Sequence, residues 1–183
     1  MRFLKNKKAL STVVTTLIIL VVSVLLATVV TFYAINITTT RTQEESLHIT
    51  KLHIWYNSTQ STSEAAFLIT NVGGRDVVID KITVRGQECP WNTVYYNITT
   101  DEITSDLTYK AFESLTDDGS ITIGSTSYTI NQGSTSYDLT LPSGRTMIVY
   151  IKNPDHISIN DIGVTVGVTV FTSNAQYYKE ANV

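Results

Sequence analysis

Three asparagines stand at the spacing that accepts an N-linked glycan: Asn36-Ile37-Thr38, Asn57-Ser58-Thr59 and Asn97-Ile98-Thr99. Asn57 and Asn97 adjoin turn signals and are the better candidates, whereas Asn36 closes a long apolar run. A second constellation, Lys7-Lys8-Ala9-Leu10-Ser11, sets two cations and a small residue directly before that run, where the cations hold the chain at an anionic membrane face. The remaining reactive side chains carry no recognisable site. His48, His53 and His156 fall at no metal-ligand spacing with cysteine or carboxylate, and no nucleophile-elbow or paired catalytic signature occurs. Asp101, Asp106, Asp117 and Asp118 lack the order of a calcium loop and read as a solvated acidic segment. Cys89, in Cys89-Pro90-Trp91, is the single cysteine, which excludes an intramolecular disulfide and a cysteine zinc cluster and reads as a small buried thiol beside an aromatic. Tyr95, Tyr96, Tyr128 and Tyr137 are candidates for a subunit or adhesive surface, although tyrosine is also an ordinary strand residue. The expectation is a chain without catalysis, metal or cofactor.

The chain that carries these residues has 183 of them, 43% hydrophobic and 16% charged, which suits one ordinary domain plus an additional element. The formal net charge of −3, with four Lys and Arg among the first nine residues, leaves −7 for the rest. An acidic body excludes binding to a phosphate backbone, so no nucleic-acid partner is expected. About a quarter of the residues are Ser or Thr, yet Val, Ile and Tyr remain plentiful, a β-rich globular composition and not a disordered one.

The additional element is the stretch from Leu10 to Thr40, which holds no Asp, Glu, Lys or Arg. As a helix it is about 45 Å long at 1.5 Å per residue, against a hydrocarbon core of about 30 Å. Three readings fit such a segment: a secretory signal, a permanent anchor, and the N-terminal assembly helix of a filament subunit. A secretory signal has a shorter apolar region followed by small residues, whereas this run ends Phe32-Tyr33-Ala34. A plain signal anchor agrees with the positive-inside rule.

The junction Lys5-Asn6-Lys7-Lys8-Ala9 followed at once by Leu10-Ser11-Thr12 resembles a type IV prepilin signal. Val14 occupies the fifth position after the junction, where bacterial pilins usually carry glutamate, and the Val, Ile and Thr-rich helix is similar to those of archaeal adhesive pilins and the related archaellins. The resemblance implies cleavage between Ala9 and Leu10 by a membrane-embedded prepilin peptidase that recognises Lys7, Lys8 and Ser11. It further implies a division into a leader at 1–9, an assembly and transmembrane helix at 10–41, and an extracellular head at 42–183. Val13, Val14, Leu17, Ile18, Val21, Val22, Leu25, Val29 and Phe32 would then form the filament core. The implied partners are further copies of the chain, the peptidase, a membrane-embedded assembly platform with its ATPase, and surfaces or other cells. An archaellin of a motility filament and an anchored, non-polymerising binding module are the alternatives.

From Arg41 onward the periodicity becomes alternating. Strands are expected at 51–56, 65–70, 76–85, 94–98, 120–123, 127–130, 137–141, 146–151 and 162–172, with Gly124-Ser125 as a hairpin turn. Asp80 falls in phase with Val78, Ile82 and Val84, which points to a bulge or an edge. Thr99 to Gly119 reads as an inserted acidic loop with a helical turn near Tyr109 to Leu115. The fold expected is a long N-terminal hydrophobic α-helix followed by an all-β, immunoglobulin-like antiparallel sandwich.

Overall fold

A computed structural model describes residues 7–42, 44–136, 138–154 and 157–183. Most of the 1–9 leader, including Arg2 and Lys5, lies outside these residues, as do Tyr137 and His156. The chain forms two compact units that divide at residues 42 and 43.

The first unit is one helix, α1, Lys7–Thr42. Its length follows from an unbroken apolar sequence without glycine or proline, because nothing interrupts the 3.6-residue ladder.

The second unit is a sandwich of antiparallel strands: β1 Leu47–Asn57, β2 Thr62–Asn71, β3 Val77–Val84, β4 Gln87–Glu88, β5 Val94–Thr99, β6 Gly119–Ile123, β7 Thr126–Gln132, β8 Leu139–Leu141, β9 Thr146–Lys152, β10 Thr165–Thr172 and β11 Gln176–Asn182. One sheet has the order β1-β2-β9-β5-β7-β6, and the other runs β11-β10-β3-β4 with β8 also paired to β3. The expected helix and two-sheet sandwich are therefore both present. Between the sheets lie Phe67, Ile69, Ile79, Ile82, Met147, Val149, Val168 and Val170, none of them accessible to solvent. Burial of large aliphatic side chains at about 25 cal/mol per Å² is the main term holding the sheets together.

Two bulges reset the alternation of strands that otherwise read irregularly. In β1 the register with β2 shifts between Thr50 and His53, so Leu47 and Ile49 share the inner face with Leu52 and Ile54 despite their opposite parity. Lys51 takes the left-handed backbone, φ 49°, that the extra residue requires. In β3 the register with β10 shifts between Lys81 and Ile79, which sends Val77 and Ile79 inward, leaves Val78 and Asp80 exposed, and returns Ile82 and Val84 to the core. The expected grouping of Val78 with Ile82 and Val84 is corrected by this bulge.

Other boundaries differ for local reasons. The expected strand from Ile162 starts at Thr165, because a 3-10 turn at Ile159–Asp161 and Gly163 at φ 82° precede it. The hairpin at Gly124-Ser125 is present, with Gly124 at φ 61°. The unforeseen β11 is an exposed edge strand, and Lys179 is exposed between the half-buried Tyr177 and Ala181. A charge at an inward phase blunts an edge against pairing with another chain.

Residues 100–118, between β5 and β6, cross the outer face of the six-stranded sheet as a strap with one 3-10 turn, Phe112–Ser114. Leu107 and Leu115 insert beneath it and join Ala66, Leu68, Tyr95, Ile148 and Tyr150 in a second core. The head thus has two apolar layers, one on each side of β2 and β9.

Candidate functional site

α1 presents apolar side chains on every side. Val13, Val14, Leu17, Ile18, Val21, Val22, Leu25, Val29 and Phe32 are all 47 to 71% exposed. A helix that is apolar all round requires burial in lipid or among other helices, since no polar stripe is left to face water. Its hydroxyl groups do not oppose that burial. Thr15 donates to Ser11 O at 2.9 Å, Ser23 to Ile19 O at 2.7 Å, Thr28 to Val24 O and Thr31 to Ala27 O at 2.8 Å, and Thr38, Thr39 and Thr40 bond back in the same way. Each proton is spent on the helix's own backbone, so these side chains carry no free donor into an apolar medium. The Leu10–Thr40 segment, 31 residues without charge, is long and apolar enough to cross a membrane.

The Ala9–Leu10 bond lies in the first turn of α1, which already begins at Lys7. The first four N–H groups of a helix have no partner within it, so this turn is the part that opens at least cost. Ser11 is exposed one residue further on.

The sequons occupy three different settings. Asn57 ends β1 before the exposed residues 58–61, and its Oδ1 accepts from Thr59 N at 3.0 Å while its Nδ2 donates to Tyr109 Oη at 3.1 Å. Asn97 is within β5, not beside a turn, and its Nδ2 donates to Thr129 O at 2.6 Å. Asn36 is exposed on α1. A glycan on Nδ2 is compatible with Asn57 once the Tyr109 bond is given up, whereas Asn97 is held by the neighbouring β7.

On the head, the outward side chains of β1 grip the strap one after another. Lys51 Nζ donates to Ile103 O at 2.8 Å and also to Thr104 O and Ser105 O, and His53 Nε2 stands 2.9 Å from Asp106 Oδ1. His53 stacks on Trp55 at 5.3 Å, and Trp55 meets Tyr109 edge to face at 6.2 Å. The His53 hydrogen bond leads the influences that hold the Asp106 carboxyl below its ordinary range. Two acidic residues of the segment, Asp106 and Asp117, have structural partners, the latter accepting from Gln132 N at 2.8 Å. Among the described residues no three His, Cys, Asp or Glu side chains gather in a way that could hold a metal ion.

Elsewhere Asp161 is bound by the Ser158 N–H and hydroxyl at 2.8 and 2.9 Å and by Arg85 at 2.7 Å. These contacts, the Ser158 N–H first, depress its carboxyl pKa. Cys89 is buried in the inter-sheet core, with Trp91 packed against that core. Tyr95 and Tyr128 are buried in the second core, and Tyr96 is half-buried against the first, so these three are packing residues and not an open adhesive face.

The buried carboxylate of Glu64 in β2 was not anticipated from the sequence. The signal for it is an acidic residue directly before the apolar run Ala65 to Ile69. No protein-family model matches the chain, and no curated protein matches it.

Proposed function

We propose that this chain is the structural subunit of an extracellular archaeal type IV filament, an adhesive pilus, that polymerises through α1 after its leader is removed. The observation that carries the reading is the helix: 31 uncharged residues, apolar on every side, preceded by Lys7-Lys8-Ala9. Before assembly the helix lies in lipid. About twenty residues fill the hydrocarbon core, which puts Phe32 and Tyr33 near the outer interface, where aromatic side chains are favoured. After assembly the same surface packs against equivalent helices. That transfer is nearly neutral in hydrophobic energy, because both surroundings are apolar, and close packing supplies the preference.

The head supports the same division of labour. Its edges are blunted by the β1 bulge, by exposed Lys179 in β11 and by Lys110 Nζ on Thr122 O of β6, so strand addition between heads is disfavoured and association falls to the helix. The reading gives the chain no catalytic role and no cofactor, and puts the glycan acceptors of the head, Asn57 and Asn97, on the filament exterior.

A charge in the middle of α1 tests this. Val22→Asp costs roughly 3 kcal/mol or more in an apolar setting, so filaments are expected to be absent while Val22→Leu still assembles and the head of both variants keeps its β circular-dichroism signature. Filaments of normal yield from Val22→Asp would overturn the proposal.

A further inference from the structure

Glu64 is placed where a carboxylate is costly. It shares the outer face of β2 with Ala66 and Leu68, is 3% exposed, and lies beneath the strap. Its Oε1 accepts the backbone N–H of Lys110, in the strap, at 3.0 Å. The elements around it supply Trp55 in register on β1, with His53 two residues before it, Lys152 in register on β9 with Tyr150 two residues before it, and Asp106 and Lys110 on the strap. Lys152 is engaged elsewhere, donating to Leu115 O at 2.8 Å and lying 4.2 Å over the Phe112 ring. Tyr150 donates to Thr108 O at 3.2 Å, and burial together with the Glu64 charge holds its phenol above the ordinary range. Asp106 faces His53. Among the described residues Glu64 forms no ion pair, and the strap lies over it through the Lys110 N–H.

We propose that residues 100–118 form a pH-controlled strap, closed over the outer face of the six-stranded sheet while Glu64 is protonated and released when Glu64 ionises.

The physical reason is differential solvation. A neutral carboxyl fits the dry space under the strap and still accepts the Lys110 N–H, whereas a carboxylate there lacks the water and the counter-ion it needs. Lifting the strap hydrates it. Burial raises the Glu64 pKa from 4.5 to about 7, and the Lys110 N–H and ammonium oppose that rise without cancelling it. The acid form therefore favours closure, and the closed state loses its advantage as pH climbs from 4.5 through about 7. The strap is fastened by single polar contacts, among them Lys51 on three carbonyls, Asn57 on Tyr109, Tyr150 on Thr108 and Lys152 on Leu115 O, and by the buried side chains of Leu107 and Leu115, with no β-ladder. A segment held in this way opens without unfolding the sheets. Opening bares Leu68, Ile148 and Tyr150 on the outside of the head, so this apolar surface is exposed more often above neutral pH. This holds whether or not the chain polymerises.

Amide hydrogen exchange of the full chain in detergent micelles tests the strap directly. With Glu64 titrating at 4.5 when open and about 7 when closed, protection of the Lys110 amide, corrected for intrinsic exchange chemistry, falls about thirtyfold from pH ~5.5 to ~8.5. The Lys110 amide stays less protected than the Val149 and Ile151 amides of β9 at both pH values, as local opening requires, and Glu64→Gln abolishes the fall. Equal protection of wild-type Lys110 at both pH values, protection of Lys110 equal to that of β9, or the same fall in Glu64→Gln would each overturn the proposal.

Discussion

Asn174 Nδ2 donates to Glu45 Oε2 at 2.9 Å, tying the segment that leads into β1 to the turn between β10 and β11. The other carboxylate oxygen of Glu45 accepts from the hydroxyl of Thr172 and, at 3.5 Å, from that of Tyr177. One side chain thus fastens the first residues of the sandwich to its last hairpin. The clamp holds the entry of β1 against the last hairpin.

Removing that clamp has a measurable cost. Hydrogen bonds to a charged group contribute about 1.5 to 3 kcal/mol each when broken singly, and the three on Glu45 share one carboxylate. Glu45→Ala is expected to lower stability by roughly 1 to 3 kcal/mol, measured by urea denaturation, with faster amide exchange confined to 172–177 and the start of β1.

The parts of this architecture that were legible in the sequence are those where one physical signal stands alone. The helix is such a case, because Leu10 to Thr40 has no charge and no breaker. Central strands such as β2 and β9 are another, since they are buried on both faces and read as apolar runs. Legibility fails where a local exception overrides the period. Lys51 shifts the parity of β1, so its first half, Leu47 to Thr50, did not read as the same strand. β11 reads Gln-Tyr-Tyr-Lys-Glu-Ala-Asn, and an exposed edge strand carries charge that hides its alternation. The strap reads as acidic and solvated, but Leu107 and Leu115 turn two of its side chains into core. Its latch could not be read at all, because nothing in the local sequence says that Lys110 lies over Glu64.

The buried carboxyl also makes an overall statement about stability. Its folded pKa is raised, so its contribution is fully present below 4.5 and is lost as pH rises through about 7. Chemical denaturation is expected to give a head up to about 3 kcal/mol less stable at pH ~8 than at pH ~4.5 on account of this group. Glu64→Gln should flatten that window and be the more stable protein at the alkaline end. The lowered pKa of Asp106 acts in the opposite sense and only in stronger acid, since its contribution is present above 3.8 and fades as pH falls.

Lys51 combines two roles that substitution can separate. Its backbone is left-handed at φ 49°, which favours glycine, and its ammonium binds three strap carbonyls. Lys51→Gly relieves the backbone and loses the ammonium, whereas Lys51→Ala loses the ammonium and keeps the strain. Both variants are expected to loosen the strap in limited proteolysis, and the alanine form is expected to be about 1 kcal/mol less stable than the glycine form. Equal stability of the two would contradict the bulge assignment at this position.

The account rests most heavily on what happens at the Ala9–Leu10 bond, and mass spectrometry of the N-terminal peptide of protein sheared from cells reads it directly. The expected result is a mature N-terminus at Leu10 in the filamentous fraction, with the uncut form restricted to membranes. A chain that begins at Met1 and is found only in membranes would contradict the filament reading and make this protein a signal-anchored extracellular module.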